Sequence, residues 1–266
     1  MSPTETLLVT RPEPGVLLVT LDRPARLNAM TVQMFDELEQ LAIDLRHDAD
    51  LRVVLLAGAG RAFCAGYDLD EADELAQLSA RQMLARQEHG ARALEALRAI
   101  PQPLIAAVDG AAAGGGFALA LAACIRLASP EARFNAAMVR IGMSAGDLGI
   151  SWLLPRLVSP GIAAEIMYTG RFVEAAEAER IGLVSRIVPS ASLLEECLTL
   201  ARTIAANSPF GVQLTKRALH ANLDGLPLRA AMELENRGQA LATRGTDMPE
   251  ALGAFKAKRT PQFTGA

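Results

Sequence analysis

Cysteine, histidine and aromatic side chains are scarce in this chain: three cysteines, three histidines and one tryptophan in 266 residues, with aromatics at 4%. Cys64, Cys124 and Cys197 are an odd number at unrelated spacings, the pattern of reduced thiols in a cytoplasmic protein rather than of a disulfide framework. His47, His89 and His220 are equally scattered, so no cluster has metal-ligand spacing and no metal is expected. No run of about twenty apolar residues is unbroken, which excludes a helical membrane span. The first ten residues lack a basic stretch followed by an apolar one, so no signal peptide is read. A net charge of -4 without clustered Lys and Arg excludes nucleic acid as the main partner, because phosphate neutralisation needs such clusters.

What the chain does have is apolar residues, at 51%, enough for a sizeable core that the alanine content and the few aromatics suggest is built from aliphatic layers. Two short alternating runs, Leu7–Thr10 and Val16–Leu21, flank Pro14-Gly15 and predict a hairpin. Thr31 is placed to cap a helix whose apolar positions are Met34, Leu38, Leu41 and Leu45. Val53–Ala57 and Leu104–Val108 are continuous apolar runs ending in glycine turns, which suits strands buried on both faces, and Val184–Val188 reads similarly. A helical stretch over 81–98 separates the first two, the syntax of crossover units in a parallel sheet. From about Ser192 the pattern is helical throughout, over 193–206, 212–223 and 228–241. The division is therefore a strand-bearing core over 1–195 and a docked helical region over 196–266.

Glycine is concentrated in two segments. One runs from Gly58 through Ala65-Gly66-Tyr67-Asp68-Leu69, the other from Gly110 through Gly114-Gly115-Gly116, and each follows a buried strand. Such loops let the main chain approach a ligand closely, and a helix opening at Phe117 adds unpaired N–H groups. Neither segment fits the phosphate-loop, dinucleotide or nucleophile-elbow patterns. Two such loops at neighbouring strand-to-helix junctions point to a ligand site rather than to tight turns alone.

Four stretches, in order, resemble the crotonase (enoyl-CoA hydratase/isomerase) superfamily over nearly the whole length. They are Leu21-Asp22-Arg23-Pro24-Ala25-Arg26-Leu27-Asn28-Ala29-Met30, Ala62 through Leu69, Ile105 through Gly116, and Thr169-Gly170-Arg171 with Ala178 through Val184. The resemblance implies an α/β fold, a spiral of strand–strand–helix repeats, with C-terminal helices that mediate homotrimers, often paired into hexamers. It implies an acyl-CoA thioester as substrate, with coenzyme A part of the substrate and no separate cofactor. It makes the backbone N–H groups of Tyr67 and Gly115 the donors of an oxyanion hole. It also brings Ala65 and the backbone near Arg26 to the adenine and pantetheine, with Gly66, Asp68, Leu69 and Gly114 in the same substrate-binding loops. The segment Phe255–Arg259, Lys258 within it, resembles one that approaches the nucleotide phosphates; read as residues alone, it is equally an ordinary solvated tail.

A hydratase of this family uses two glutamates, and the matching positions here are Ala118 and Met138. Neither can exchange a proton. The carboxylate left is Asp147, in a glycine-bearing loop similar to one that carries an aspartate in dienoyl-CoA isomerases and dihydroxynaphthoyl-CoA synthases; it is either the base or a helix cap. His89 is read as a solvated helix-face residue, Cys64 as inert, and Arg140 as an ion-pair partner or a substrate contact. Tyr67 either narrows the pocket or lends its phenol. The leading expectation is double-bond isomerisation through a stabilised enolate, which one carboxylate can serve by removing and returning a proton. The alternatives are hydration with another acid or base, and a non-catalytic acyl-CoA binder.

Overall fold

In the computed structural model, which describes residues 4–71 and 77–266, the chain opens with the expected hairpin. β1 (Leu7–Glu13) pairs antiparallel with β2 (Val16–Leu21) around Gly15, whose φ of +75° suits a residue without Cβ. α1 (Val32–Arg46) follows, with the Thr31 hydroxyl accepting from the Met34 N–H at 3.2 Å as the cap reading requires. The chain then alternates between two sheets. β3 (Val53–Gly58), β5 (Leu104–Val108), β7 (Ile125–Ala128) and the short β10 (Arg186–Ile187) extend the first in the order β1-β2-β3-β5-β7-β10, parallel from β2 onward. β4 (Ala62–Cys64), β6 (Ala111–Ala113), β8 (Arg133–Asn135) and β9 (Val173–Glu174) form the second, four-stranded sheet.

Each turn of the spiral gives one strand to each sheet and then helix. β3 and β4 lead towards α2 (Ala80–Arg98), and β5 and β6 lead directly into α3 (Gly115–Ala122). After β7 and β8 come a 3-10 turn (Ala137–Ile141), α4 (Ile150–Leu153), a further 3-10 turn (Leu154–Arg156) at Pro155, and α5 (Pro160–Thr169). α4 is short because Pro155 cannot continue the α-helical ladder. This is the α/β ββα spiral that the sequence implied.

The central strands are apolar on both faces because each face meets a different layer. Val54, Leu56, Leu104, Ala106 and Val108 point into the main core, while Val53, Leu55, Ile105 and Ala107 face α7 (Ser190–Ala205). α7 answers with Leu193, Cys197 and Ala201, one helical face at i, i+4, i+8. It runs through residue 195, so the start of the helical region is packed on the first sheet. The core is less aliphatic than composition suggested: Phe35, Phe63, Phe117 and Phe134 are among its largest fully buried side chains, and Phe117 and Phe134 meet with centroids 5.9 Å apart.

α6 (Ala175–Arg180) links β9 to β10, and α8 (Pro209–Leu223), α9 (Leu228–Ala242) and α10 (Asp247–Lys256) complete the chain. α9 buries only Ala231 and exposes Leu228, Met232, Leu234 and Leu241, and Phe255 on α10 is 84% exposed. No helix among the described residues is long and apolar enough to cross a membrane.

Candidate active site

The two glycine loops meet. Gly66 has φ +98°, and a Cβ placed on it would lie 2.9 Å from the Ala113 carbonyl oxygen and 3.4 Å from the Gly115 nitrogen. Only glycine allows that approach and that φ together. Met30 fixes the direction of the intervening peptide. Its N–H donates to Gly66 O at 2.7 Å and its carbonyl accepts from Asp68 N–H at 2.9 Å, in a parallel bridge with Tyr67. Because successive amides of an extended segment point opposite ways, the Tyr67 N–H faces away from Met30. Gly115 is the first residue of α3, so its N–H has no intrahelical partner. Gly114 N–H is occupied by Asn135 O at 3.0 Å. Among the described residues, neither the Tyr67 nor the Gly115 amide has an acceptor. Gly116 locks the arrangement from behind, since a Cβ there would stand 2.2 Å from the Cys64 carbonyl oxygen.

The walls beside these amides are apolar. The sulfur of Met30 and a methyl of Leu148 lie 3.0 and 3.4 Å from where a Gly115 Cβ would be, and the sulfur of Met138 lies 3.7 Å from that of Gly114. Ala118 is fully buried on α3. Low polarity here strengthens any charge–dipole interaction that the amides make.

Among the described residues, the carboxyl of Asp147 reaches this apolar wall. Leu148 and Gly149 both take left-handed φ values, +47° and +84°, and Leu148 wedges its side chain between Gly90 of α2 and Gly115. That turn directs Asp147 inward: Gly149, not Asp147, is the N-cap of α4, and no side chain caps that helix. Asp147 Oδ2 is buried without a hydrogen-bond partner among the described residues. Burial raises the Asp147 pKa above the ordinary carboxylate value, opposed in part by the Leu148 N–H and by the Tyr67 hydroxyl beside it. The same environment pushes the Tyr67 phenol upward, through burial first and the neighbouring Asp147 charge second. The Tyr67 ring tilts against Phe35 with centroids 5.7 Å apart, and its hydroxyl lies 3.5 Å from Gln87 Oε1 of α2.

Behind the amides the loop 23–30 rivets the loop 59–68. Asp68 is almost fully buried and receives Arg26 Nη2 at 2.8 Å and Arg23 Nη1 at 2.7 Å, so that the Arg26 hydrogen bond, with Arg23 adding to it, holds its carboxyl at about 2. Its oxygens are therefore committed to this clamp, and Arg26 also pairs with Asp70 at 2.6 Å. Ala65 N–H donates to Leu27 O at 3.0 Å. Asn28, fully buried at φ +57°, donates through Nδ2 to Ala59 O and Ala62 O, both at 2.8 Å, and accepts from Arg23 N–H at 2.9 Å. Asn28→Ala leaves those carbonyls without a donor, at about 1–3 kcal/mol each, and keeps a left-handed φ that costs Ala about 1–2 kcal/mol. The expected result is a Tm lower by roughly 10 °C in a thermal scan.

The structure thus brings Gly66, Tyr67, Gly114, Gly115 and Asp147 together, with Arg26, Ala65 and Asp68 in the supporting turn and Leu69 exposed beside it. Lys258 lies on the exposed C-terminal segment, and its ammonium has no hydrogen bond or ion pair among the described residues. Met30, Asn28, Gln87 and Leu148 also shape the site; Asn28 and Met30 lie in a recognised stretch that gave them no role, and Gln87 and Leu148 lie outside the recognised stretches. His89 is not solvated: it is paired with Asp36 at 2.8 Å and stacked edge-on to Phe35. The Cys64 thiol is buried and pushed up to about 12, which makes it a poor nucleophile. No group of three His, Cys, Asp or Glu among the described residues could hold a metal ion.

Residues 11–266 match the family model described as enoyl-CoA hydratase/isomerase. The probable enoyl-CoA hydratase echA12 of Mycobacterium tuberculosis is 42% identical, across 97% of this chain and 92% of that one. A solved structure of a probable enoyl-CoA hydratase/isomerase from Mycobacterium abscessus superposes with a TM-score of 0.89 at 43% identity, covering 97% of this chain and 98% of that one. A monofunctional enoyl-CoA isomerase from M. smegmatis is similar at 46% identity, with a TM-score of 0.73 over 86% of this chain and 99% of that one.

Proposed function

Because this chain belongs to the enoyl-CoA hydratase/isomerase family, we propose that it shifts the double bond of an enoyl-CoA through an enolate held at the Tyr67 and Gly115 amides. The observation that carries the reading is the company those amides keep among the described residues: Ala118 and Met138 where proton-exchanging side chains would stand, and the carboxyl of Asp147 reaching in. The thioester carbonyl oxygen accepts from both N–H groups, each worth about 3 kcal/mol to the developing oxyanion. Asp147 takes a proton from C2 of a 3-enoyl-CoA, and the C–H electron pair moves into the enolate conjugated with the C3–C4 double bond. The same carboxyl returns the proton at C4, leaving the double bond between C2 and C3 with no atom gained or lost. The turn of Arg26, Ala65, Gly66 and Leu69 receives the nucleotide and pantetheine of the substrate, with Gly114 at the acyl end and Lys258 approaching the phosphates. Asp68 supports that turn through Arg26. Coenzyme A enters as part of the substrate, and the reaction as written needs no further cofactor.

The exposed apolar residues of α9 and α10 give the chain a surface suited to association with copies of itself, as a trimer or a pair of trimers. Hydration is the second reading, favoured by one observation. The Tyr67 hydroxyl beside Asp147 supplies a further group that could orient water.

A mass-spectrometric panel of saturated, 2-enoyl-, 3-enoyl- and dienoyl-CoAs tests the proposal. Product of unchanged mass with shifted absorbance supports isomerisation, and a gain of one water supports hydration. Silence across the panel supports a binder. Tyr67→Phe keeps the backbone donor and removes the hydroxyl that opposes the rise in the Asp147 pKa, so the acid limb of the kcat/KM profile is expected to move to higher pH. A limb that stays in place would remove the phenol from the site's chemistry.

A further inference from the structure

The spiral carries a cavity near the N-terminal ends of its central strands. β3 and β5 run parallel in register, Val54 opposite Leu104, and the Tyr67 and Gly115 loops follow their C-terminal ends. Arg46, Arg98 and Pro101 precede their N-terminal ends, about one strand length, or roughly 17–20 Å, away from the amide pair. There the ends of α1 and α2 meet α8 around a cavity of about 530 Å³ lined by Arg46, Arg98, Lys216, Arg217, His220 and Asp224.

Three guanidinium groups and the buried Lys216 ammonium, whose pKa burial lowers, face the carboxylate of Asp224. The C-termini of α1, α2 and α8 converge on the same place, and each contributes about half a negative charge. Together with Asp224 they offset only part of the positive charge, and the cavity stays cationic. Among the described residues, none of Arg46, Arg98 and Arg217 has an ion-pair partner. Lys216 is 8% exposed and spends two of its three donors on Ile100 O and Gln102 O, at 2.7 and 2.8 Å. Arg98 is held rigid, 5.3 Å over the Trp152 ring and 3.1 Å from His220 Nδ1, which accepts only as a neutral imidazole. His220 is accordingly pushed down to about 4, by burial first and by the Arg98 and Lys216 charges next. Guanidinium forks presented together in a pocket of small-molecule size match the bidentate geometry of phosphate oxygens.

We propose that this cavity binds the diphosphate group of a small molecule, at a site separate from the acyl-CoA site. Calorimetric titration of the full-length protein with inorganic pyrophosphate at fixed ionic strength tests it. Saturable binding is expected, and the exposed pair Arg46→Gln with Arg217→Gln should weaken it at least tenfold while the circular dichroism spectrum stays unchanged. The His220 ring resonances should titrate at higher pH once pyrophosphate is bound. Binding should be unchanged in Lys258→Gln, whose side chain is the proposed phosphate contact of the acyl-CoA site. Absence of saturable heat, equal affinity in the double variant, or loss of binding in Lys258→Gln would each overturn the assignment, the last by moving the anion to the acyl-CoA site.

Discussion

Asp147→Asn is expected to lower kcat by about 10²–10⁴-fold, the range that a positioned general base supplies. The amide has nearly the shape of the carboxyl, so the turn through Leu148 and Gly149 is retained and binding of the CoA thioester should change little. The loss belongs in kcat because Ala118 and Met138 offer no second proton carrier to take over. The pH dependence has a fixed sign. The base acts as carboxylate, and burial raises its pKa above the ordinary value. Activity should therefore rise with pH through a midpoint above that of a solvated aspartate. A variant within threefold of the wild-type rate would remove Asp147 from the chemistry and leave the enolate without a base.

Gly66→Ala should be nearly as damaging without touching a proton. Its φ of +98° is costly for alanine, and the new methyl would meet the Ala113 carbonyl oxygen at 2.9 Å. Relief requires the Gly66–Tyr67 peptide to turn or to withdraw from Gly115, and either movement takes the Tyr67 N–H out of line with the thioester oxygen. Loss of one preorganised donor costs about 10²–10³ in kcat. Gly238→Ala is the matched control, since an added Cβ there meets nothing within 4 Å. It should leave turnover unchanged. Full activity in Gly66→Ala would mean that the paired amides do not carry the transition state.

The two glycine loops that meet were legible in sequence because glycine is demanded there for steric reasons that leave a mark, a buried strand, a glycine-bearing turn, then a helix; the choice of the Tyr67 and Gly115 amides within them came from the family resemblance alone. The first sheet was legible for a similar reason, since strands sandwiched between two apolar layers have little choice but continuous Val, Leu and Ile. The second sheet was not. Ala111–Ala113 has no strand preference of its own and becomes β6 only because β4 and β8 flank it. Val184–Val188 looked like a full strand, yet only Arg186 and Ile187 pair fully with β7 at the sheet's edge. Asn28 stood inside a recognised stretch, but its work is three-dimensional, closing carbonyls that lie 31 and 34 residues away. The inward aim of Asp147 depends on a left-handed leucine, Leu148, a conformation that no local rule assigns to that residue. Gln87 reaches the Tyr67 hydroxyl from a helix whose sequence shows only ordinary amphipathic spacing.

The most direct test of the account is incubation of the wild-type protein and Asp147→Asn with a 3-enoyl-CoA in D₂O, followed by mass spectrometry of the thioester. The expected result is a 2-enoyl-CoA formed by the wild type without addition of water, carrying deuterium wherever the carboxyl exchanged its proton before returning it, and neither product nor label from the variant. A 3-hydroxyacyl-CoA from the wild type, or undiminished isomerisation and labelling by Asp147→Asn, would contradict it.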